Sequence, residues 1–241
     1  MNRIDYIGKC LLISGKERLL IVGDLHLGYE ETLNQSGIFV SREMYKEMIS
    51  EFERIFEKAG KVDKIVLLGD VKHHFAGILK QEWQDILKLL DYFTEKLEKN
   101  GKIIITRGNH DNILEPIVKR RENVELVDYY INEKTGFIHG NKDFPEIWGK
   151  DIKRIVLGHV HPAIKLKEEN KVEKYKCFLV GEVKEKEIII VPSFIDASEG
   201  SDPREEKIDL PFRMDLDKFE AKIIDRESLE VLDFGKLTNI K

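Results

Sequence analysis

The histidines of this chain have a distribution that points to chemistry. Each of the seven lies just past a short apolar segment, and most have a glycine and an aspartate or asparagine close by. Structural histidines would scatter over helices and surface, whereas ligands gather where strand-end loops converge at one edge of a sheet. The sequence therefore indicates a metal or substrate site built from His26, His73, His74, His110, His139, His159 and His161.

Two of these histidines have a candidate ligand two residues earlier. Asp24 precedes His26, and His159 precedes His161, with one apolar residue between the members of each pair. Residues i and i+2 share one face of an extended strand, so each pair is predicted to point to one side.

Oxygen ligands also follow two other apolar runs, at Asp70 and Asn109. Imidazole mixed with carboxylate and amide oxygen, without thiolate, suits manganese, iron, nickel or zinc. Calcium or magnesium alone would rarely recruit so many histidines. The two cysteines, Cys10 and Cys177, show no metal-site spacing and are predicted to be buried thiols.

The ordered set of motifs resembles the signature of the calcineurin-like metallophosphoesterases. Each motif alone is weak, but their joint order is specific. Within that superfamily, residues 69–74, 158–162 and 191–194 are similar to the ligase-associated phosphodiesterases and their archaeal relatives. The motifs are Asp24-x-His26, Gly69-Asp70, Gly108-Asn109-His110-Asp111, His139 and Gly158-His159-x-His161.

The resemblance implies two divalent metal ions, with manganese favoured and iron, nickel or zinc as alternatives. Two-metal sites hold their ions about 3.5–4 Å apart. By this resemblance Asp70 would bridge the two ions. The first ion would be held by Asp24, His26 and His161, and the second by Asn109, His139 and His159.

Three further residues receive catalytic roles from the resemblance. His110 would stabilise the transition state or protonate the leaving oxygen. Asp111 could accept a proton from the ring of His110, although a turn-capping carboxylate is the alternative. His73 would contact the scissile phosphate, or else be a simple loop residue. For His74 and Lys72 a substrate contact stays open, and a solvated lysine is favoured for Lys72.

The function implied is that of a two-metal phosphodiesterase acting on nucleotides or nucleic-acid ends, such as 2′,3′-cyclic phosphodiesters. The reaction would be in-line attack by a hydroxide that bridges the ions. A phosphomonoesterase and a nuclease of the same fold are alternatives, because a fold does not decide the substrate. An inactive protein-binding scaffold would have lost ligands, and all seven ligand positions are intact. DNA or RNA repair proteins are implied partners.

Composition limits the other classes of function. The formal net charge of −5 argues against a general nucleic-acid coat, while 41% hydrophobic and 35% charged residues suit a packed domain. A phosphorylated small molecule stays allowed, since bound metals supply local positive charge. No apolar run approaches the roughly 20 residues of a membrane helix, so a cytoplasmic protein without membrane contact is expected.

Alternating elements must position the motifs. Residues 10–13 and 19–22 predict a hairpin, and residues 65–68 and 103–105 predict buried strands. A helix is predicted from an N-cap at Ser41 to Gly60, and a second one ends at Gly101. Two successive strand–helix–strand crossovers indicate an α/β sheet with parallel neighbours.

Short strands dominate after about residue 122. They are predicted at residues 124–127, 136–139, 154–157, 177–180 and 188–191, and are expected to form a second sheet. By resemblance, the fold is a four-layer αββα sandwich of two mixed sheets packed face to face and flanked by helices. Residues 1–241 are predicted to be one domain, with a core at about 8–195 and a C-terminal extension at about 196–241.

Within the extension, residues 196–209 are predicted to be an exposed loop. Two tail strands are expected near residues 219–224 and 229–234. Closing the second sheet, forming a dimer contact and shaping the pocket mouth are equal alternatives for the tail.

Overall fold

The first sheet of the computed structural model, which describes residues 2–75, 77–168 and 171–240, comes from the N-terminal half of the chain. Its six strands are β1 (Arg3–Ile7), β2 (Cys10–Ser14), β3 (Arg18–Val22), β4 (Val62–Leu67), β5 (Leu97–Thr106) and β6 (Val124–Val127). They lie side by side in sequence order. Strands β1 to β3 are antiparallel, and β3 to β6 are parallel. The predicted hairpin is confirmed as β2 and β3.

Helices connect the parallel strands of this sheet. They are α1 (Tyr29–Gln35), α2 (Met44–Ala59), α3 (Lys80–Lys96) and α4 (Glu115–Val118). In α2, Met48, Phe52 and Ile55 recur at helical spacing and are buried against the sheet. Burying side chains of this size contributes about 1.5–3 kcal/mol each.

Both long helices differ from their predicted ends. Helix α2 does not begin after a Ser41 cap, because a glutamate from α1 does the capping: the Met44 N–H donates to Glu30 Oε1 at 2.8 Å. Helix α3 ends at Lys96, and Leu97 is already paired with Val62 of β4. Gly101, the predicted helix end, therefore lies inside β5.

The second sheet comes from the C-terminal half. Its strands are β7 (Tyr129–Asn132), β8 (Thr135–Ile138), β9 (Arg154–Leu157), β10 (Ala163–Glu168), β11 (Lys171–Val183), β12 (Lys186–Ile190), β13 (Glu220–Ile224) and β14 (Val231–Lys236). The spatial order is β14-β13-β11-β12-β9-β8-β7, and β10 pairs with β11. Strands β8, β9 and β12 are parallel, and the other pairs are antiparallel.

Strand β6 belongs to a different sheet from the one that the sequence predicts. Residues 124–127 are predicted in the second sheet, but Val124 pairs in parallel with Ile103 at the edge of the first sheet. The reason is a third crossover, through the short helix α4. Of the three alternatives for the tail, the structure shows that it extends the second sheet, because β13 pairs with β11 and β14 pairs with β13.

The two sheets pack face to face through an apolar layer. Its members from the two sheets include Leu11, Ile21, Val66, Ile104, Phe137, Val156, Phe178 and Ile189. Helices α2 and α3 cover the outer face of the first sheet. The outer face of the second is covered by residues 208–216 and by 3₁₀ turns at Pro145–Trp148 and Leu237–Asn239. The predicted sandwich of two mixed sheets is thereby confirmed.

Both cysteines are buried and free, as expected. Among the described helices, none has both the length and the apolar character needed to cross a bilayer.

Candidate metal centre

The predicted ligands all follow the carboxyl ends of strands. Asp24 comes after β3, Asp70 after β4 and Asn109 after β5, while His139 and His159 follow β8 and β9 of the other sheet. These strands are parallel within each sheet, so their ends meet at one edge. The packed sheets therefore bring both halves of the motif set to one place.

The local backbone is not the strand that the sequence suggested. His26, Asp70, His159 and His161 have φ values of 44°, 46°, 66° and 49°. A non-glycine residue in this left-handed region costs on the order of 1–3 kcal/mol and is typical of functional sites. Pairs of ligands are thus aimed by tight turns, and the expectation that they share a strand face is wrong.

Two motif glycines are required by close approach to these carboxylates. A Cβ at Gly108 would lie 2.2 Å from Asp70 Oδ1, and one at Gly158 would lie 2.6 Å from Asp24 Oδ2. Both distances are too short for any side chain. The glycines therefore let loop backbone pack directly against the two acids.

The first group of candidate ligands is Asp24, His26 and His161, with ligand atoms within 4.8 Å of one another. His161 Nε2 lies 3.3 Å from Asp24 Oδ1 and 3.3 Å from His26 Nε2. Asp24 is fully buried, and both its oxygens also face the His159 N–H, at 3.2 and 3.0 Å.

The second group is Asp70, His139 and His159, again within 4.8 Å. His139 Nε2 lies 3.0 Å from His159 Nδ1 and 3.1 Å from Asn109 Oδ1. The amide expected as a ligand is therefore brought to the same point as the two imidazoles.

Asp70 lies between the two groups. Its Oδ2 is 3.8 Å from His26 Nε2 in the first group and 3.5 Å from His139 Nε2 in the second. Its Oδ1 accepts a hydrogen bond from the His110 N–H at 2.9 Å. This is the position that a bridging carboxylate would occupy.

The donor set fits a cation. His139 Nδ1 is 2.7 Å from Leu68 O, and because a carbonyl only accepts, that nitrogen carries the ring proton. His139 Nε2, Asp70 Oδ2 and Asn109 Oδ1 then present lone pairs to one space. Such a convergence is unfavourable without a positive charge between the atoms, and divalent metal ions match these ligand types.

Burial sets the protonation of these groups. It lowers the pKa of His26 to about 3 and that of His159 to about 4, which keeps both imidazoles neutral near pH 7. Burial would raise the pKa of Asp24, but His161, His139 and His26 hold it well below its usual range. The pKa of Asp70 rises to about 6, through burial and the nearby charges of Asp24 and Asp111.

The catalytic candidates His110 and His73 lie beside the ligands. His110 Nε2 is 3.9 Å from Asp70 Oδ2, and its Nδ1 is 2.5 Å from His73 O. The two rings stack with centroids 5.5 Å apart, and with His26 they form a third group of nitrogens within 4.8 Å. Burial and the charge of His110 lower the pKa of His73 to about 4.

Asp111 does not take the role first assigned to it. Its Oδ1 accepts the Val71 N–H at 3.0 Å and its Oδ2 accepts the Gly108 N–H at 2.9 Å. The His110 ring instead donates to His73 O. Asp111 is fully buried and caps the turns after β4 and β5, which is the alternative considered for it.

The following loop also differs from expectation. Lys72 is fully buried rather than solvated, and its Nζ donates to His74 O. Glu82, which the sequence analysis missed, accepts the His73 and His74 N–H groups through Oε1, at 3.1 and 2.6 Å. The sequence feature that could have identified Glu82 is its place as the third residue of α3, a common capping position. There it also accepts the Leu79 N–H.

Two aromatic side chains contact the histidines of the site. Tyr29 contacts the His73 ring edge-on at 4.8 Å, and Phe75 contacts His110 at 5.4 Å while keeping 56% of its surface exposed. Trp148 lies away from the site and packs on Phe212 beneath the second sheet.

Known proteins resemble this chain in sequence and in structure. The profile of the calcineurin-like phosphoesterases matches residues 17–213. No significant match is found among curated proteins. The structure of the Pseudomonas putida nuclease MPE is similar, with a TM-score of 0.59 and 15% identity over 97% of this chain and 100% of that one.

A single mutant of Vps29 from Entamoeba histolytica is a more distant structural match. It has a TM-score of 0.40 and 14% identity over 90% of this chain and 99% of that one. The profile match covers most of the chain, including every candidate ligand from Asp24 to His161. The chain therefore belongs to the calcineurin-like phosphoesterase family and is a metal-dependent phosphoester hydrolase.

Proposed function

We propose that this enzyme is a two-metal phosphodiesterase that acts on nucleotides or nucleic-acid ends, such as 2′,3′-cyclic phosphodiesters. The observation that carries the proposal is the imidazole pair His73 and His110 beside Asp70. This pair lies outside the seven-residue ligand set. It is available to a substrate, next to the carboxylate that links both ligand groups.

The metal centre consists of two proposed ligand sets that share Asp70. Asp24, His26 and His161 would hold one ion, and Asn109, His139 and His159 would hold the other, with manganese as the favoured metal. Bound divalent ions lower the pKa of coordinated water and neutralise phosphate oxygens, which is the chemistry they supply to in-line displacement. The chain contributes neutral imidazoles and ionised Asp24 at pH 7, the forms that bind metal.

His110 handles the leaving group in this proposal. Its Nδ1 proton is held by His73 O, which fixes the ring and leaves Nε2 facing the Asp70 side of the site. When the ring is protonated at both nitrogens, Nε2–H can stabilise charge on the phosphate or give its proton to the departing oxygen. His73, whose N–H donates to Glu82 Oε1, lies beside His110 and would contact the scissile phosphate.

An exposed aromatic surface favours a substrate that carries a base. Phe75 stands at the edge of the His110 ring with more than half of its surface free. Stacking of a base on an aromatic ring contributes about 1–3 kcal/mol and tolerates any base. A nucleotide whose phosphate lies near His110 could use this surface.

Two enzymatic alternatives share the same centre. A phosphomonoesterase would use the same ligand residues and the same His110. A nuclease would need a path for a continuing strand, and the Pseudomonas putida protein of similar fold is described as a nuclease. An inactive scaffold is disfavoured because every ligand position has a residue that can bind a metal, and these side chains converge. Partners in nucleic-acid repair stay a prediction.

Hydrolysis assays distinguish these readings. Bis-p-nitrophenyl phosphate and p-nitrophenyl phosphate are compared with and without Mn²⁺, followed by 2′,3′-cyclic nucleotides and single-stranded oligonucleotides. The proposal expects Mn²⁺-dependent cleavage of the diester and of the cyclic nucleotides. Cleavage of the monoester alone would identify a phosphatase, internal cuts in oligonucleotides a nuclease, and no turnover with any divalent metal a scaffold.

A further inference from the structure

Residues 198–204 form a strap from the C-terminal extension across the turn that carries His161. The Ser201 N–H donates to His161 O at 2.8 Å, and the Ala163 N–H donates to Ser201 O at 3.0 Å. Gly200 makes this approach feasible, because its φ is +83° and a Cβ there would lie 2.3 Å from His161 O. The strap thus fixes the backbone of a ligand candidate whose own φ is positive.

The strap is anchored on its far side by a buried carboxylate. Asp202 is fully buried, and its Oδ2 accepts the Lys165 N–H at 2.8 Å and Arg204 Nη2 at 2.7 Å. Arg204 also donates through Nη1 to Ile240 O at 2.9 Å. The strap is therefore tied to β10 and to the end of the described chain, so the predicted exposed loop is partly a built element.

Ser198 brings this strap into contact with the metal centre. Its Oγ lies 3.1 Å from His161 Nδ1, while His161 Nε2 faces Asp24 and His26. A neutral imidazole binds metal through the nitrogen that lacks the proton, so Nδ1 must carry it. A hydroxyl oxygen can accept this proton, and the hydrogen bond then holds the ring plane.

Two other ligand imidazoles are held differently. His139 Nδ1 donates to a backbone carbonyl, Leu68 O, which no substitution can remove. His26 Nδ1 is buried and has no partner within the described ranges 2–75, 77–168 and 171–240. The His161 ring, in contrast, contacts a replaceable side chain from the extension.

We propose that Ser198 is a positioning residue of the metal centre, and that the strap makes the C-terminal extension part of the site. The Ser198 hydroxyl accepts the His161 Nδ1–H and thereby directs Nε2 toward Asp24 and His26, where the ion would be held. This role rests on the metal centre proposed above. Groups that orient metal-bound histidines typically change metal affinity 10- to 100-fold when removed.

Calorimetric titration with Mn²⁺ tests the role without relying on activity. Ser198→Ala is expected to lower the affinity for one of the two ions about 10- to 100-fold. Ser198→Thr keeps the hydroxyl, and its affinity is expected to stay within about threefold of the wild type. The matched control is Ser41→Ala, an exposed serine before α2, which is expected to titrate like the wild type. Two ions bound with unchanged affinity by Ser198→Ala would overturn the role of Ser198 alone.

Nitrogen-15 NMR of the histidine rings in the Zn²⁺-loaded protein gives a second readout. The His161 Nδ1 proton is expected to exchange slowly with water in the wild type and faster in Ser198→Ala, which lacks the acceptor. Equal exchange in both proteins would overturn the hydrogen bond as the cause. A wild type that binds no divalent metal would overturn the metal centre and, with it, the positioning role.

Discussion

His110 and Asp111 are adjacent in sequence but have opposite surroundings. The half-buried His110 ring lies beside the candidate metal ligands, with Nε2 3.9 Å from Asp70 Oδ2. The Asp111 carboxylate points inward to backbone N–H groups. A single residue step thus separates a group placed for chemistry from one that holds the loops.

Replacing His110 with alanine should therefore leave the metals in place. We expect His110→Ala to bind two ions while its kcat falls by about 10²- to 10⁴-fold, the usual contribution of a general acid. The loss should be larger for a 2′,3′-cyclic nucleotide, whose leaving oxygen needs a proton, than for bis-p-nitrophenyl phosphate. Metal analysis and kinetics on both substrates check this, with Ser41→Ala as control. Turnover at the wild-type rate would remove His110 from the mechanism.

In the metal-free protein, the ionised Asp70 carboxylate lowers the stability of the folded state. Its pKa in the folded chain is about 6, against 3.8 ordinarily, so the folded state holds the proton more tightly than the unfolded state. The stability that this proton gives is fully present below pH 3.8 and is lost as the pH rises through 6.

Asp70→Asn should consequently have two opposite effects. The metal-free variant is expected to be more stable than metal-free wild type by about 1–3 kcal/mol at pH 7, and to lack this part of the pH dependence. It should also lose both ions together. Urea unfolding between pH 4 and 8 and metal analysis measure the two effects. Retention of one ion at full affinity would show that Asp70 does not bridge.

Between elements, the turns after β4 and β5 depend on one another. Asp111, in the second turn, binds Val71 in the first, and Asp70 of the first turn binds the His110 N–H of the second. Each turn is therefore shaped by the carboxylate of its neighbour. Ligands from both turns keep their positions only while these crossed hydrogen bonds hold.

Asp111→Ala tests this coupling of the two turns. It leaves two buried N–H groups without their acceptor, so we expect a loss of about 2–4 kcal/mol in the free energy of unfolding. Turnover should fall in parallel with metal affinity. Denaturant unfolding, with the exposed Glu115→Ala as control, provides the comparison. Unchanged stability together with lost turnover would return Asp111 to a direct part in the reaction.

The sequence predicted elements better than their partners in space. Apolar runs identified β3, β4 and β5, because a strand buried on both faces needs such a run. The sheet that receives residues 124–127 could not be predicted, because β6 is short and its neighbour is set by a long-range crossover. The start of α2 depends on Glu30, a tertiary contact that no local capping pattern contains.

The candidate site was predictable in its members and not in its geometry. The ligand set came from motif order, but His26 and His161 reach the site through left-handed turns rather than extended strands. Ser198 and Glu82 carried little or no sequence signal, since each contacts the site through the tertiary fold. The single-domain organisation of residues 1–241 stays a prediction.

Across the whole molecule, the candidate centre lies where two sheets join. The first sheet brings Asp24, His26, Asp70 and Asn109, and the second brings His139, His159 and His161. Neither sheet alone holds a complete ligand group, because each of the two proposed sets takes histidine from the second sheet and oxygen ligands from the first. Metal binding and the packing of the sheets should therefore stabilise each other.

Thermal unfolding should report this linkage. A ligand at 100 times its Kd stabilises the folded state by about 2.7 kcal/mol, so saturating Mn²⁺ should raise Tm by about 5–10 °C over the chelated protein. Asp24→Ala is expected to lose most of this shift, and Ser41→Ala to keep it. An equal shift in Asp24→Ala would place the responsible binding elsewhere.

The two cysteines have a practical consequence for following how the protein opens. Cys10 lies in β2 of one sheet and Cys177 in β11 of the other, and neither side chain is reachable by solvent. Burial also raises the pKa of both thiols, so alkylating reagents meet neither the exposure nor the thiolate they require. The rate at which each thiol is modified therefore reports how often its own sheet opens locally. No engineered label is needed for this measurement.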